Sequence, residues 1–594
     1  MKQSLKNILS LLFFIISFVC LFVLIQTKHI WGNVYIEQIL INLADGVLQA
    51  SNKLLLGYAI SAVLGIVSAI AFSLFIKQNK YLVLISSFCL AFCLYQIGIF
   101  SYIFHKTVYT KLYEQEYIYP QNLTYTFSNQ KRNLIVIYLE SMEENYAISP
   151  NLSSNLIPHI YAHMKANLSF EGFHQLKRQD FTAAAMVESL CAVPYKHSIL
   201  KGHTGYQNYL ANLVCYPEIL EQNGYQTVFI KGADIDFAKA NLFFSSHGFQ
   251  TVMGKTELEQ KYPAYPLKEN KGAFSGYSDE ALYEMVKLEL LNLNKSNKPF
   301  ALGFITLDTH TPDYHLGKSC TGTPFNKEDV VRCADTLLAN FLDWLKEQPF
   351  YSDTTVFVLG DHTETGNNSL YPKEKNRKIV NFVLNPSPVF SEKPHTAFTT
   401  LDIAPTVLNA LGISFGQNGF GLGRSLLQEK QTLLEKMGYK LETELMKSSK
   451  IYDSFETVKI NTEPSYHLYA PFGVELASLD DICRFATYSN KILDAVFLSE
   501  LSFSLPETSA NSLSLSLKYK IMLASKNKRS IKVVANGQIV DTLVVTNKDT
   551  QPLSKTISIP TSLLNQNKLL LNFEDEEPLA YSLPIGILSL KLNP

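Results

Sequence analysis

The sequence predicts an α/β protein: a mostly parallel sheet flanked by helices, set between an N-terminal transmembrane bundle and a small C-terminal β-rich domain. Three patterns carry that prediction. Residues 1–104 contain three long apolar runs, residues 131–430 alternate short apolar runs with helical patterns, and residues 431–594 pass through a helical linker into alternating apolar and polar stretches. A chain of 594 residues is also too long for one ordinary core, so several domains are expected.

The apolar runs cover 8–25, 54–76 and 81–104, each near the ~20 residues that cross a bilayer as a helix. A signal peptide is the alternative for the first. No small-residue cleavage site comes after it, so all three read as membrane helices. Lys2 and Lys6 precede the first run, and Lys77 and Lys80 sit between the second and third. The positive-inside rule puts these on the cytoplasmic side and everything after 104 on the outer face, although Lys28 and Lys53 lie in the opposite loop. Residues 105–130, rich in tyrosine and polar groups, suit an interfacial connector.

Charge excludes one class of partner: 52 Lys plus Arg against 53 Asp plus Glu leave no electrostatic footprint for nucleic acid. Cys20, Cys89 and Cys93 lie in the apolar runs, while Cys191, Cys215, Cys320, Cys333 and Cys483 lie beyond them. The pairs Cys191–Cys215 and Cys320–Cys333 are close enough in sequence to bridge in an oxidising compartment; unpaired buried thiols are the alternative. No CxxC spacing supports metal binding by these cysteines.

In the central region the runs NLIVIYL (133–139), YQTVFIK (225–231), FALGFITL (300–307), TTVFVLG (354–360) and IVNFVLN (379–385) read as parallel strands covered on both faces. Between them, 328–347 places Val331, Leu337, Leu338, Phe341, Leu342 and Leu345 on one helical stripe, a packing face. In the tail, ANGQ (535–538) between alternating segments marks a hairpin, and the whole reads as a small β-sandwich.

The strand ends are more informative than the strands. NLIVIYL ends on Glu140, FALGFITL on Asp308, Thr309 and His310, TTVFVLG on Asp361 and His362, and YQTVFIK on the polar turn GADID. Ligands of open α/β sheets bind beyond the carboxyl ends of the strands. Any one of these pieces alone is more often a cap or a turn. Together they offer carboxylates and imidazole to one rim, a set suited to Mn²⁺, Mg²⁺ or Zn²⁺. Thr182, opening the run FTAAAMVESLCAVP, would sit at a helix N-terminus, either as a nucleophile facing a phosphate or as a simple cap. His395 reads as a second metal ligand or as a surface or cap residue.

In order and spacing, IYLES, FTAAAMVESLCAVP, TLDTHTPDY, LGDHTE and TTLDIAPTVLNALGI resemble the alkaline phosphatase and sulfatase superfamily, specifically its membrane-bound phosphoglycerol transferase and lipoteichoic acid synthase branch. The resemblance covers the three apolar runs and residues 130–425, and FTAAAMVESLCAVP and DTHTPD look most like transferases that decorate periplasmic glucans. It implies a sulfatase-like sheet and one divalent metal, manganese first, held by Glu140, Thr182, Asp361 and His362. Thr182 would also be the nucleophile, and His310 would bind the substrate phosphate or assist proton transfer. Asp236 and Lys239 would lie near the donor head group, at a place where the lipoteichoic acid synthases carry an aromatic residue and an arginine.

The implied function is transfer of phosphoglycerol from a membrane phospholipid, through a phosphothreonine, to a glycan outside a bacterial inner membrane. A phosphoethanolamine transferase acting on lipopolysaccharide or glycan shares the mechanism. A sulfatase or phosphodiester hydrolase is the next alternative, but Pro194 stands three residues after Cys191, where the sulfatase signature has two, and no arginine comes after it. A non-catalytic glycan-binding protein would keep the fold and lose ligands, whereas all four metal-site candidates are present.

Overall fold

A computed structural model describes residues 2–32, 34–36, 38–39, 52–76, 78–196, 210, 212–237, 240–323, 326–364, 376–387 and 395–456, together with seven strands between 500 and 593. Two compact units result, Met1–Glu456 and Thr457–Pro594.

The first unit opens with α1 (Lys2–Trp31), α2 (Asn52–Ser73), α3 (Asn79–Gln96) and α4 (Ile99–Thr107). Within α1 and α2, the stretches Lys6–Trp31 and Leu55–Ser73 are each long and apolar enough to cross a membrane. The third expected span is not one straight helix. It breaks between α3 and α4 with a bend of 58°, and Gly98 at the break has φ 73°, a left-handed conformation open to glycine. Counting the bent pair as one span gives three.

The sheet runs β1 (Asn133–Leu139), β2 (Gln226–Lys231), β3 (Thr251–Met253), β4 (Phe300–Ile305), β5 (Thr354–Gly360) and β6 (Asn381–Leu384) in chain order. In space the order is β3-β2-β4-β1-β5-β6. All neighbours are parallel except β6, which pairs antiparallel with β5. This corrects the expectation that 379–385 runs parallel, because an apolar run fixes burial but not direction. β1 is central and buried on both faces. Leu134, Val136 and Tyr138 join a cluster with α5 (Thr182–Cys191) and α8 (Ile403–Ala410). Ile135, Ile137 and Leu139 join the opposite cluster with α6 (Asp279–Asn294) and α7 (Lys327–Lys346). Each such fully buried aliphatic side chain contributes about 1.5–3 kcal/mol. The α7 stripe is buried as its periodicity implies.

The helices α9 (Leu433–Met437), α10 (Lys440–Met446) and α11 (Lys450–Glu456), which sequence suggested as a linker, belong to the first unit. Leu433, Leu434, Leu441, Leu445, Tyr452 and Phe455 bury into the α5 side of its core.

The second unit contains β7 (Glu500–Ser504), β8 (Ser512–Ile521), β9 (Arg529–Ala535), β10 (Gln538–Val545), β11 (Leu553–Pro560), β12 (Lys568–Asp575) and β13 (Ile585–Asn593). They form antiparallel sheets ordered β7-β12-β9-β10 and β11-β8-β13. Ala535 pairs with Gln538, so β9 and β10 form the expected hairpin; its turn residues Asn536 and Gly537 lie outside the described residues.

Candidate active site

Adjacent strands β4, β1 and β5 end at one rim, and the residues just beyond them converge there. Glu140, Asp361 and His362, all buried, can each offer a ligand atom within 4.8 Å of the others. Ser141 makes the turn that aims Glu140. Its φ of 50° is unusual for a residue with a side chain, and its hydroxyl donates to Glu140 Oε1 at 2.7 Å while its amide donates to Asp361 Oδ1 at 2.8 Å. Gly360, just before Asp361, is required by close approach: a Cβ there would lie 2.2 Å from the Met142 carbonyl oxygen.

The remaining bonds leave one carboxylate oxygen of the cluster unsatisfied. Asp361 Oδ1 also accepts from the His362 amide at 2.8 Å, whereas its buried Oδ2 has no hydrogen-bond partner among the described residues. With its Nδ1 donating to the Thr363 carbonyl at 2.9 Å, His362 turns Nε2 to the carboxylates, 3.4 Å from Asp361 Oδ2 and 3.7 Å from Glu140 Oε1. An orphaned buried carboxylate oxygen beside a second carboxylate and an imidazole nitrogen suits a divalent metal.

Electrostatics agree. Burial, and then the charge of Glu140, push Asp361 up to about 7. Burial alone would raise Glu140, yet His310 and His362 hold it below its ordinary value. Burial would lower His362, but Asp361 and Glu140 raise it. The two buried carboxylates thus repel each other, and the imidazoles beside them offset part of that charge.

Thr182 is the first helical residue of α5, and the N-cap position belongs to Phe181, which has no side-chain cap. The Thr182 hydroxyl is therefore not the helix cap. It donates to Glu140 Oε2 at 3.3 Å, which puts it at the mouth of the cluster. His310 is half-buried beyond β4, with Nδ1 2.6 Å from the Thr311 carbonyl oxygen and its ring edge-on to Phe274 at 4.7 Å between centroids. Burial pulls it below the usual imidazole range against the raising effect of Glu140.

Asp308, Asp236 and His395 do not join this site. The Asp308 carboxylate is taken by the amides of Asp279 at 2.8 Å and Ala273 at 3.2 Å. Asp236 is exposed, and its amide closes a turn on Asp234 Oδ1 at 2.9 Å; Lys239 lies outside the described residues. His395 engages Glu435 at 3.0 Å and the Gln428 carbonyl at 2.7 Å, an anchor for α9 that leaves neither ring nitrogen for a second metal. Both expected cysteine pairs are bonded, Cys191 to Cys215 and Cys320 to Cys333, and Cys483 lies outside the described residues.

Sequence reasoning passed over Lys231, the last residue of β2, which pairs in register with Ile305 at the end of β4. Its half-buried ammonium lies 5.6 Å from the centroid of the Phe237 ring. Burial lowers its pKa, while Glu140 and then Asp234 raise it, so it feels the same rim. The available signal was a lysine closing an otherwise apolar strand.

Residues 132–413 match the family model described as Sulfatase. This segment is a sulfatase-family domain. Phosphoglycerol transferase I of Salmonella paratyphi B is 32% identical over 320 residues, covering 52% of this chain and 41% of that protein. The chain thus spans less than half the length of this curated relative. Among solved structures, the lipoteichoic acid synthase LtaP from Listeria monocytogenes has 19% identity and a TM-score of 0.43, covering 57% of this chain and 96% of that one. The Streptococcus pyogenes phosphoglycerol transferase GacH, in complex with sn-glycerol-1-phosphate, has 16% identity and a TM-score of 0.36, covering 57% and 93%. In this chain the sulfatase-family domain comes after apolar helices of membrane-spanning length.

Proposed function

We propose that this chain is a transferase that moves a phosphoglycerol group from a membrane phospholipid, through a phosphothreonine at Thr182, to a glycan on the outer face of a bacterial inner membrane. The observation that carries the reading is the Thr182 hydroxyl at the first turn of α5, 3.3 Å from a buried carboxylate of the candidate metal cluster. The 32% identity to a phosphoglycerol transferase supports the choice of head group.

Glu140, Asp361, His362 and Thr182 would hold one divalent cation, manganese first and magnesium or zinc as alternatives, which when bound acidifies a coordinated hydroxyl and offsets phosphate charge. In the first displacement the Thr182 hydroxyl gives up its proton as its oxygen bonds to phosphorus, and the bond from phosphorus to the diacylglycerol oxygen breaks. That oxygen takes up a proton and diacylglycerol departs. An acceptor hydroxyl then bonds to phosphorus and loses its proton, the bond from phosphorus to the Thr182 oxygen breaks, and that oxygen takes up a proton. His310, its Nδ1 held by the Thr311 carbonyl, keeps Nε2 for giving and taking these protons. Lys231 places a cation at the rim for the phosphate oxygens, and the N-terminus of α5 adds its dipole. Tethering by α1 and α2 keeps donor lipid and active site at one surface, which reduces the entropy of encounter.

The test uses the full chain in detergent with head-group-labelled phosphatidylglycerol or phosphatidylethanolamine, with and without Mn²⁺. Metal-dependent diacylglycerol release from phosphatidylglycerol, with label on Thr182, is the expected result. Release from phosphatidylethanolamine alone would change the head group, and release from neither lipid would overturn the transferase reading.

A further inference from the structure

Behind the metal-ligand cluster lies a second set of buried charges that the proposed chemistry does not use. Glu143, Glu364 and Lys327 are all buried, and Arg377 reaches them from beyond β5. Two carboxylates face two cations, so the set is neutral as a whole. Its bonds, however, run between loops. Glu364 Oε1 accepts from the Thr311 hydroxyl at 2.6 Å and lies 3.2 Å from Lys327 Nζ, while Oε2 accepts from the Tyr146 hydroxyl at 2.8 Å. The Glu364 amide donates to Glu143 Oε1 at 2.8 Å, and Arg377 donates to Glu143 Oε2 at 2.9 Å and to the Glu364 carbonyl at 2.7 Å. Lys327 Nζ donates to the Thr309 carbonyl, and the Thr309 hydroxyl donates to the Glu140 carbonyl at 2.5 Å.

Glu364 is thus the point where three strand-end loops meet: 140–146 after β1, 306–312 after β4 and 361–364 after β5. The first and third carry the candidate metal ligands, and the second carries His310. We infer that Glu364 and Lys327 are positioning residues that fix His310 relative to the Glu140–Asp361–His362 cluster. They touch no reacting atom. They act through Thr311 and Thr309, the neighbours of His310 on either side. Charge-assisted bonds of this kind, closed off from water, hold geometry tightly, and removing one partner leaves the other charge buried and unpaired. A proton-transfer group needs that tightness, since small misplacements cost large factors in rate.

The inference rests on the proposed transferase reading for its kinetic consequence but not for its structural one, and the experiment separates the two. Full-length wild type, Glu364→Gln, Lys327→Met and the milder Thr311→Val are compared by the rate at which diethylpyrocarbonate modifies His310, read by peptide mass spectrometry. Release of the loop should raise that rate at least threefold in Lys327→Met and Glu364→Gln, and detectably in Thr311→Val, which removes one hydroxyl and should leave the fold intact. Unchanged His310 reactivity in all three folded variants overturns the inference, whatever the activity assay says. In the head-group assay kcat should fall at least tenfold with KM within a factor of two, and Lys327→Met should cost nothing further in a His310→Ala background. An additional loss in that background would show that Lys327 acts elsewhere. Absent wild-type turnover would count against the transferase reading alone, because the modification rates stand without it.

Discussion

Two clusters in the first unit bring the same kinds of donor together, yet they differ in how far the described residues satisfy them. Cys215, Glu218 and His247 meet as closely as Glu140, Asp361 and His362 do. In the first, every group already has a partner. Cys215 is bonded to Cys191, the Glu218 carboxylate accepts from the Cys215 amide at 3.2 Å, and the His247 ring nitrogens lie 2.7 Å and 3.2 Å from the carbonyl oxygens of Phe243 and Leu210. In the second, Asp361 Oδ2 is buried with no hydrogen-bond partner among the described residues, and the Thr182 hydroxyl adjoins. Donor type and proximity do not make a site; unsatisfied capacity does.

The most severe way to break that comparison is to remove a group from the second cluster. Asp361→Asn should abolish Mn²⁺ binding by titration calorimetry and lower head-group release by about a thousandfold or more, while Thr182→Ala should abolish release in a protein that still melts cooperatively. Retained turnover in Thr182→Ala would remove it as the nucleophile. Removing Cys215 from the first cluster should do the reverse. Cys191→Ser with Cys215→Ser should cost about 3 kcal/mol of stability, read as a lower melting temperature, and leave Mn²⁺ affinity within a factor of two. A loss of metal binding with fold intact would place the ion in the wrong cluster.

The smallest effect is a pH signature. Burial raises Glu218 to about 8, against the lowering bond from the Cys215 amide, with Glu221 raising it further. Because the folded value lies above the unfolded one, the protonated carboxyl is favoured in the fold, and stability is lost as pH rises from about 4.5 through about 8. Glu218→Gln, which can still accept the Cys215 amide, should match wild type near pH 5. Near pH 9 it should be more stable by about 1 kcal/mol, a fraction of the full shift because the side chain is only half-buried. Equal melting temperatures at both pH values would mean that Glu218 titrates as an ordinary exposed carboxylate.

Much of the candidate site's geometry could be read from the sequence because strand ends announce themselves: an apolar run that stops on Glu140 or Asp361 places a carboxylate at the rim without further information. Strand direction is not encoded that way, so β6 could be recognised as a strand but not as an antiparallel one. Nor can period or composition reveal that Glu143 meets Arg377 and Glu364 meets Lys327. These pairs are distant in sequence, and each residue alone reads as solvated surface charge. Lys231 was missed for the same reason: a lysine closing a strand usually faces water, and only its register beside the end of β4 places it at the rim. The break at Gly98 could not be seen because hydropathy counts length and not direction.

The packing of α9–α11 has a consequence for how the molecule is made. The end of α10 and the turn before α11 are stitched to the end of α4 and the segment after it: the Thr110 amide donates to the Ser448 carbonyl at 3.0 Å, the Ser448 amide to the His105 carbonyl at 2.8 Å, and the Tyr113 hydroxyl to the Leu445 carbonyl at 2.8 Å. The earliest and latest parts of the globular fold therefore close on each other, across more than three hundred intervening residues. During vectorial synthesis the sheet strands emerge in order, but the seam that seals the α5 side of the core stays open until residue 456 has appeared. Until then the nascent domain presents an apolar flank, a stage at which a chaperone has something to hold.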